Sequence, residues 1–147
     1  MKQSKKTGNN DMTKFESSIK QIQAPQQRVY DMLSDLNNLE RVKDRLPEDK
    51  IKDMTFDHDS VSVSVAPVGS VTLRVVNREE PKTIKFETEQ SPIPFNLWIQ
   101  LVAMDEQNCK MKLTIKAELN PFIKGVIQGP LQEGLERIAD ALTMIQY

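Results

Sequence analysis

Few side chains in this sequence belong to the types that ordinarily carry chemistry near neutral pH, and each has a plain structural reading beside its chemical one. His58 is the single histidine and stands in Phe56-Asp57-His58-Asp59-Ser60. An imidazole between two carboxylates can titrate near neutrality or offer a weak metal site. The simpler reading is a solvated turn histidine. Cys109 is the single cysteine. A reactive thiol needs a neighbouring base or cation to raise its thiolate fraction, and no histidine lies near it in the sequence, so a buried inert thiol is expected. With one His and one Cys there is no Cys/His zinc cluster and no intramolecular disulfide. Gly69, in Ala66-Pro67-Val68-Gly69-Ser70, supplies turn geometry. A phosphate-cradling loop would need several glycines leading into a helix. These residues assign no acid–base pair, no triad, no metal site and no cofactor, and an enzymatic role stays open without a catalytic constellation to carry it.

The elements that would position any site follow from periodicity. Lys14 to Gln23 reads as a strand with Phe15, Ser17 and Ile19 on one phase and Ser18, Lys20 and Ile22 on the other. Ala24-Pro25 then opens a helix, with Pro25 expected at the first helical position and Val29, Leu33 and Leu36 forming its buried stripe. Asn37 or Asn38 is expected to cap a second short helix with the stripe Leu39, Val42 and Leu46, ended by Pro47. From Ser60 to Leu119 the period becomes two. Val61, Val63 and Val65 alternate with serines, Pro67 and Gly69 turn the chain, and Val71, Leu73 and Val75 resume the apolar phase. Glu80-Pro81-Lys82 makes the next turn, before Ile84, Phe86 and Thr88. Pro92 and Pro94 bracket another, before Asn96 to Met104. The last strand sets Cys109, Met111, Leu113, Ile115, Ala117 and Leu119 against Lys110, Lys112, Thr114, Lys116 and Glu118.

Asn120-Pro121 is a helix start, a capping side chain followed by Pro at the first helical position. The helix places Val126, Ile127, Leu131, Leu135, Ile138, Leu142 and Ile145 on one side. Gly129-Pro130 interrupts this pattern, and the missing N–H and ring clash of Pro130 predict a kink or break there.

Composition bounds the function classes. The 147 residues carry a formal net charge of -1 with 28% charged residues, so no excess of Lys and Arg is available to neutralise nucleic-acid phosphates. The basic exception is residues 1–12, with Lys2, Lys5 and Lys6, read as a disordered leader; Met12 is an alternative start. No run approaches the about 20 apolar residues of a membrane span or the about 7–15 of a secretory signal. A soluble, cytoplasmic domain over residues 13–147 is expected, with no nucleic-acid partner and no integral membrane association.

One sheet of about seven strands with a single dry face must be covered by the helices, because nothing else can bury it. This makes an α+β fold, a curved antiparallel sheet around a long C-terminal helix. The stretch IQAPQQRVYDMLSDLNNLERV, the element order and the closing LERIADAL helix resemble the START-like, or helix-grip (SRPBCC), superfamily, over about 14–146. That superfamily includes polyketide cyclases, plant pollen-allergen proteins and lipid-transfer domains. The resemblance implies a fold that commonly holds apolar ligands between sheet and helix, some members being enzymes. The glycine-rich loop of the pollen-allergen branch is missing.

Two readings of the inner face remain open, a helix packed down on the sheet or a cavity beneath it. Gly125 and Gly129-Pro130 would let the helix stand away, and Pro92-Ile93-Pro94 would form either a cavity rim or a rigid turn. The lining of a cavity is expected from Val63, Val65, Leu73, Val75, Phe86, Leu97, Ile99, Met111, Leu113, Ile127 and Leu131, each of which could equally be core. The leading function is a binding or carrier domain for a small hydrophobic or amphipathic ligand. The alternatives are a cyclase-like enzyme using the same space, or an interaction module that uses the helix ends or an outward Trp98 with Val102 and Val76, the latter face including a homodimer.

Overall fold

The computed structural model describes residues 11–49, 51–66 and 68–147. Two strands, β1 (Asp11–Glu16) and β2 (Lys20–Ile22), lead into the helix α1 (Gln26–Ser34). A 3-10 turn, the short helix α2 (Leu39–Val42) and a second 3-10 turn follow. Six strands then form a meander: β3 (Ile51–Phe56), β4 (Ser60–Val65), β5 (Gly69–Glu79), β6 (Thr83–Gln90), β7 (Phe95–Ala103) and β8 (Cys109–Leu119). The helix α3 (Pro121–Thr143) closes the fold. All strands join one antiparallel sheet in the order β1-β8-β7-β6-β5-β4-β3, with β2 also on β8. Pairing of neighbours in sequence follows from short turns, and the long connection through α1 and α2 carries the chain from one edge of the sheet to the other.

The dry face is where the alternation places it. Ile84 and Phe86 on β6, Ile99 and Leu101 on β7, and all six inward residues of β8 from Cys109 to Leu119 are buried. Their registers agree, with Leu97 between Phe86 and Ile115 and Ile99 between Ile84 and Leu113. A one-residue slip would turn this whole set to water, so burial itself fixes the register.

Several local expectations are corrected. Residues 1–10 of the expected leader lie outside the described residues, whereas Asp11 and Met12 are strand, paired with Leu119 and Glu118. The single strand expected from Lys14 to Gln23 is divided at Ser17–Ile19. There the buried Ser17 donates its N–H to the Leu113 carbonyl and its hydroxyl accepts the Leu113 N–H, both at 2.9 Å. The side chain thus completes the pairing that the backbone abandons. The break also resets the phase, so that Phe15 and Ile22 both face inward and Ile19 is exposed.

Pro25 is the N-cap of α1 and not its first helical residue. Asn38 precedes α2 without a side-chain cap bond and donates instead to the Met32 carbonyl, 2.9 Å, while Asp35 caps the preceding turn by accepting from Asn37 N–H, 3.0 Å. Pro67 lies outside the described residues, and Gly69 takes φ +112°, a conformation open to glycine and costly for other residues.

α3 starts as its sequence predicts. Asn120 accepts from Ile123 N–H at 2.8 Å, with Pro121 in the first turn. The expected break is absent, for the helix runs continuously through Pro130 to Thr143. Pro130 withholds one N–H from the Val126 carbonyl, but side-chain bonds just beyond it hold the helix on both flanks. Val126, expected on the buried stripe, is 56% exposed.

Candidate functional site

α3 packs chiefly on β1, β2 and β8, at one side of the sheet. That side is densely tied. Glu136 accepts from the Ser18 N–H (2.8 Å) and hydroxyl (2.9 Å), Lys20 reaches Glu136 at 3.3 Å and Asp140 at 2.7 Å, and Gln132 donates to the Glu16 carbonyl, 2.8 Å. Burial pushes the Glu136 carboxyl up, yet the bonds from Ser18 and Lys20 outweigh it and hold the group below its ordinary range. Lys20 is raised, first by its bond to Asp140 and against the effect of burial. Toward the other edge, Arg137 makes a two-pronged pair with Asp49, 2.9 and 3.0 Å.

Between these attachments the helix and sheet enclose a cavity of about 120 Å³. The helix contributes Ile127, Pro130, Leu131, Gly134, Leu135 and Ile138. The sheet contributes Ile51 on β3, Val65 on β4, and Val71 and Leu73 on β5, then Phe95 and Leu97 on β7, and Leu113, Ile115 and Ala117 on β8. Two turn tips converge at its rim. Ala66 and Val68 come from the β4–β5 turn and Ile93 from the β6–β7 turn, with Pro47 beside them. The tips are close enough that a Cβ on Gly69 would stand 3.5 Å from Pro92 Cγ. Ala66 is exposed, so the cavity lies near solvent at this end. Among the described residues every one in the lining is apolar or glycine.

Six of the residues expected from sequence are brought together here: Val65, Leu73, Leu97, Leu113, Ile127 and Leu131. Five are not. Val75, Phe86, Ile99 and Met111 are buried in the core away from the cavity, and Val63, half-buried opposite Val71, stays outside the lining. Other elements cover part of this face. α1 packs on β7, where Gln26 donates to the Leu101 carbonyl, 3.1 Å, and the chain end fills in nearby with Tyr147, which donates to the Leu142 carbonyl at 2.6 Å. Burial pushes the Tyr147 phenol up, with Cys109 as a further neighbour.

Sequence reasoning missed Ile115, Ala117 and Val71, although all share the phase of named residues. Of Gly125 and Gly129-Pro130, expected to let the helix stand away, Pro130 lines the cavity. Gly125 and Gly129 are exposed, and Gly134 faces the cavity. The signal for it was present, since Ile127, Leu131, Gly134 and Ile138 recur at spacings of four, three and four.

The residues singled out for chemistry have structural surroundings. His58 Nδ1 lies 2.8 Å from Asp59 Oδ1. Asp59 is also paired with Arg78, 2.9 Å, and the bonds from His58 and then Arg78 hold its carboxyl below the ordinary range. Arg78 donates twice more to the Ser34 carbonyl, at 2.8 and 3.0 Å. The His58 turn therefore docks on the end of α1. Among the described residues no group of three His, Cys, Asp or Glu side chains is placed to hold a metal ion. Cys109 is fully buried, and burial pushes its thiol up. Thr88 accepts from Phe95 N–H, 3.2 Å. Trp98 does face outward, but as a half-buried ring flanked by Lys85 and Lys116, whose ammonium nitrogens lie 5.4 and 5.6 Å from its centre. These cation–π contacts cover part of the ring, while Val76 and Val102 are exposed.

A curved sheet gripping a long helix over an apolar cavity defines the helix-grip class. The chain belongs to the family described as polyketide cyclase / dehydrase and lipid transport, whose model matches residues 12–143. No curated protein sequence matches it. Among solved structures it is similar to norcoclaurine synthase from Thalictrum flavum in complex with dopamine and hydroxybenzaldehyde, at 12% identity and TM-score 0.71, over 97% of this chain and 91% of that one. It is also similar to the Zhui aromatase/cyclase from Streptomyces sp. R1128, at 15% identity and TM-score 0.68, over 90% and 92% of the two chains. A START superfamily protein from Mycobacterium smegmatis aligns at 15% identity and TM-score 0.64, over 90% and 94%. Identities this low establish a shared fold. No helix among the described residues is long and apolar enough to cross a membrane.

Proposed function

We propose that this chain is a binding or carrier domain for a small apolar ligand, or for the apolar end of an amphipathic one, held beneath α3. The observation that carries the reading is a cavity of about 120 Å³ with no polar side chain in its lining among the described residues. An apolar cavity of about 150 Å³ stays dry and takes up benzene, so a site of this size suits a single ring or a short branched alkyl group. Recognition would rest on shape and dispersion. The family description, which includes lipid transport, supports the same reading. A cyclase would need a general acid or base within hydrogen-bond reach of the bound group, and among the described residues the lining supplies no such side chain.

Native mass spectrometry of protein purified without detergent tests the proposal. A retained apolar compound, or saturable uptake of added toluene, is expected. Bare protein that also takes up no toluene would sink the carrier reading.

A further inference from the structure

Gly134 is out of place by helix propensity. It lies inside α3, three turns from the N-terminus and well before the C-terminal end at Thr143, where glycine is less favourable than alanine. No turn or positive φ calls for it, since Gly69 is the glycine with that conformation among the described residues. A Cβ built on Gly134 meets nothing within 4 Å, so close packing of helix on sheet does not explain the missing side chain either. Gly125 and Gly129 also have open space at the Cβ position, but theirs is solvent, because both are exposed. Gly134, by contrast, is half-buried and lines the cavity.

We infer that Gly134 is the specificity-determining position of this site: its missing side chain exposes α3 backbone to the cavity and sets how large an apolar group can enter. The inference rests on the carrier reading and deepens it, by naming the position that limits the ligand to a single ring or a compact branched alkyl group. Ile127 and Leu131 on one side and Ile138 on the other continue the helix wall with bulky side chains, and at Gly134 the wall steps back between them. A side chain there would occupy the volume that the ligand needs, because Gly134 lines the cavity and a Cβ on it meets no atom within 4 Å. A Leu would fill it in the way that a ligand does.

The test compares toluene and benzene binding by calorimetry in the wild type, Gly134→Ala, Gly134→Leu and the solvent-facing control Gly129→Leu. The wild type and Gly129→Leu are expected to bind toluene alike. Gly134→Ala should weaken toluene by about tenfold and benzene by less, the scale of one added methyl in an apolar pocket. Gly134→Leu should abolish both. Thermal midpoints read alongside should rise for Gly134→Ala and not fall for Gly134→Leu, because a helix-favouring residue fills open space. Should Gly134→Leu fail to fold, Gly134→Ala decides alone. Unchanged toluene affinity in folded Gly134 variants would overturn the inference and leave the carrier reading standing. A wild type that binds neither probe would overturn both.

Discussion

Leu97 and Leu101 are the same residue type on the same face of the same strand, four positions apart, and the structure predicts different consequences for truncating them. Leu101 is 2% exposed, paired with Met111 and absent from the cavity lining. Leu101→Ala leaves a new void in close-packed surroundings and should cost about 3–5 kcal/mol, the upper range for buried leucines. Leu97 is half-buried and already borders empty space. Part of its surface has no partner atoms to lose, so Leu97→Ala should cost about 1–2 kcal/mol, below the usual range for packed sites. With an urea slope of about 2 kcal/mol per molar, the midpoints should fall by about 1.5–2.5 M for Leu101→Ala and by about 0.5–1 M for Leu97→Ala. Urea titrations with unchanged slope provide the measurement. Leu97→Ala should in addition admit a larger probe, such as naphthalene, that the wild type takes poorly. Equal midpoint losses, or a larger loss at Leu97, would refute the claim that the two leucines face different interiors.

The remaining predictions concern the attachments of α3 and the buried thiol. Arg137→Ala removes the pair with Asp49 beside the cavity; an exposed pair of this kind contributes at most about 1 kcal/mol, so stability should change little while ligand release, followed by stopped-flow displacement, becomes faster. Glu136 has a lowered folded-state pKa, so the stability it contributes is present above its unfolded value, about 4.3, and is lost as the pH falls through the folded value. Glu136→Gln should therefore flatten the acid limb of the midpoint-against-pH curve below about pH 4.5, and an unaltered limb would contradict the coupling to Ser18 and Lys20. Cys109, fully buried with its thiol raised, should resist a thiol reagent at pH 8 in the native protein and react on unfolding; prompt native labelling would count against the packing described around Tyr147.

The sheet was legible wherever one face alone is dry. In β8 six inward residues alternate with five polar neighbours, and no other register buries them. β1 and β2 were less legible because their division depends on one side chain, Ser17, standing in for a backbone partner 96 residues away. Pro130 does not break the helix, for a related reason. Its local cost is real, but the bonds of Gln132, Glu136 and Arg137 to both flanks fix the helix beyond it. The cavity was half legible. Phase identified the inward residues, but which of them stay uncovered depends on where α1 and Tyr147 settle, and periodicity carries no such information. Gly134 could have been recognised from its place on the apolar stripe of α3, in preference to the solvent-facing Gly125 and Gly129.

A toluene titration followed through methyl resonances tests the central claim most directly. Methyl signals of Leu97, Leu113, Ile127 and Leu131, which line the cavity, should shift together and saturably, while those of Leu101 and Met111, buried elsewhere in the core, stay nearly fixed. The absence of saturable shifts, or shifts spread evenly over both groups, would contradict a ligand site beneath α3.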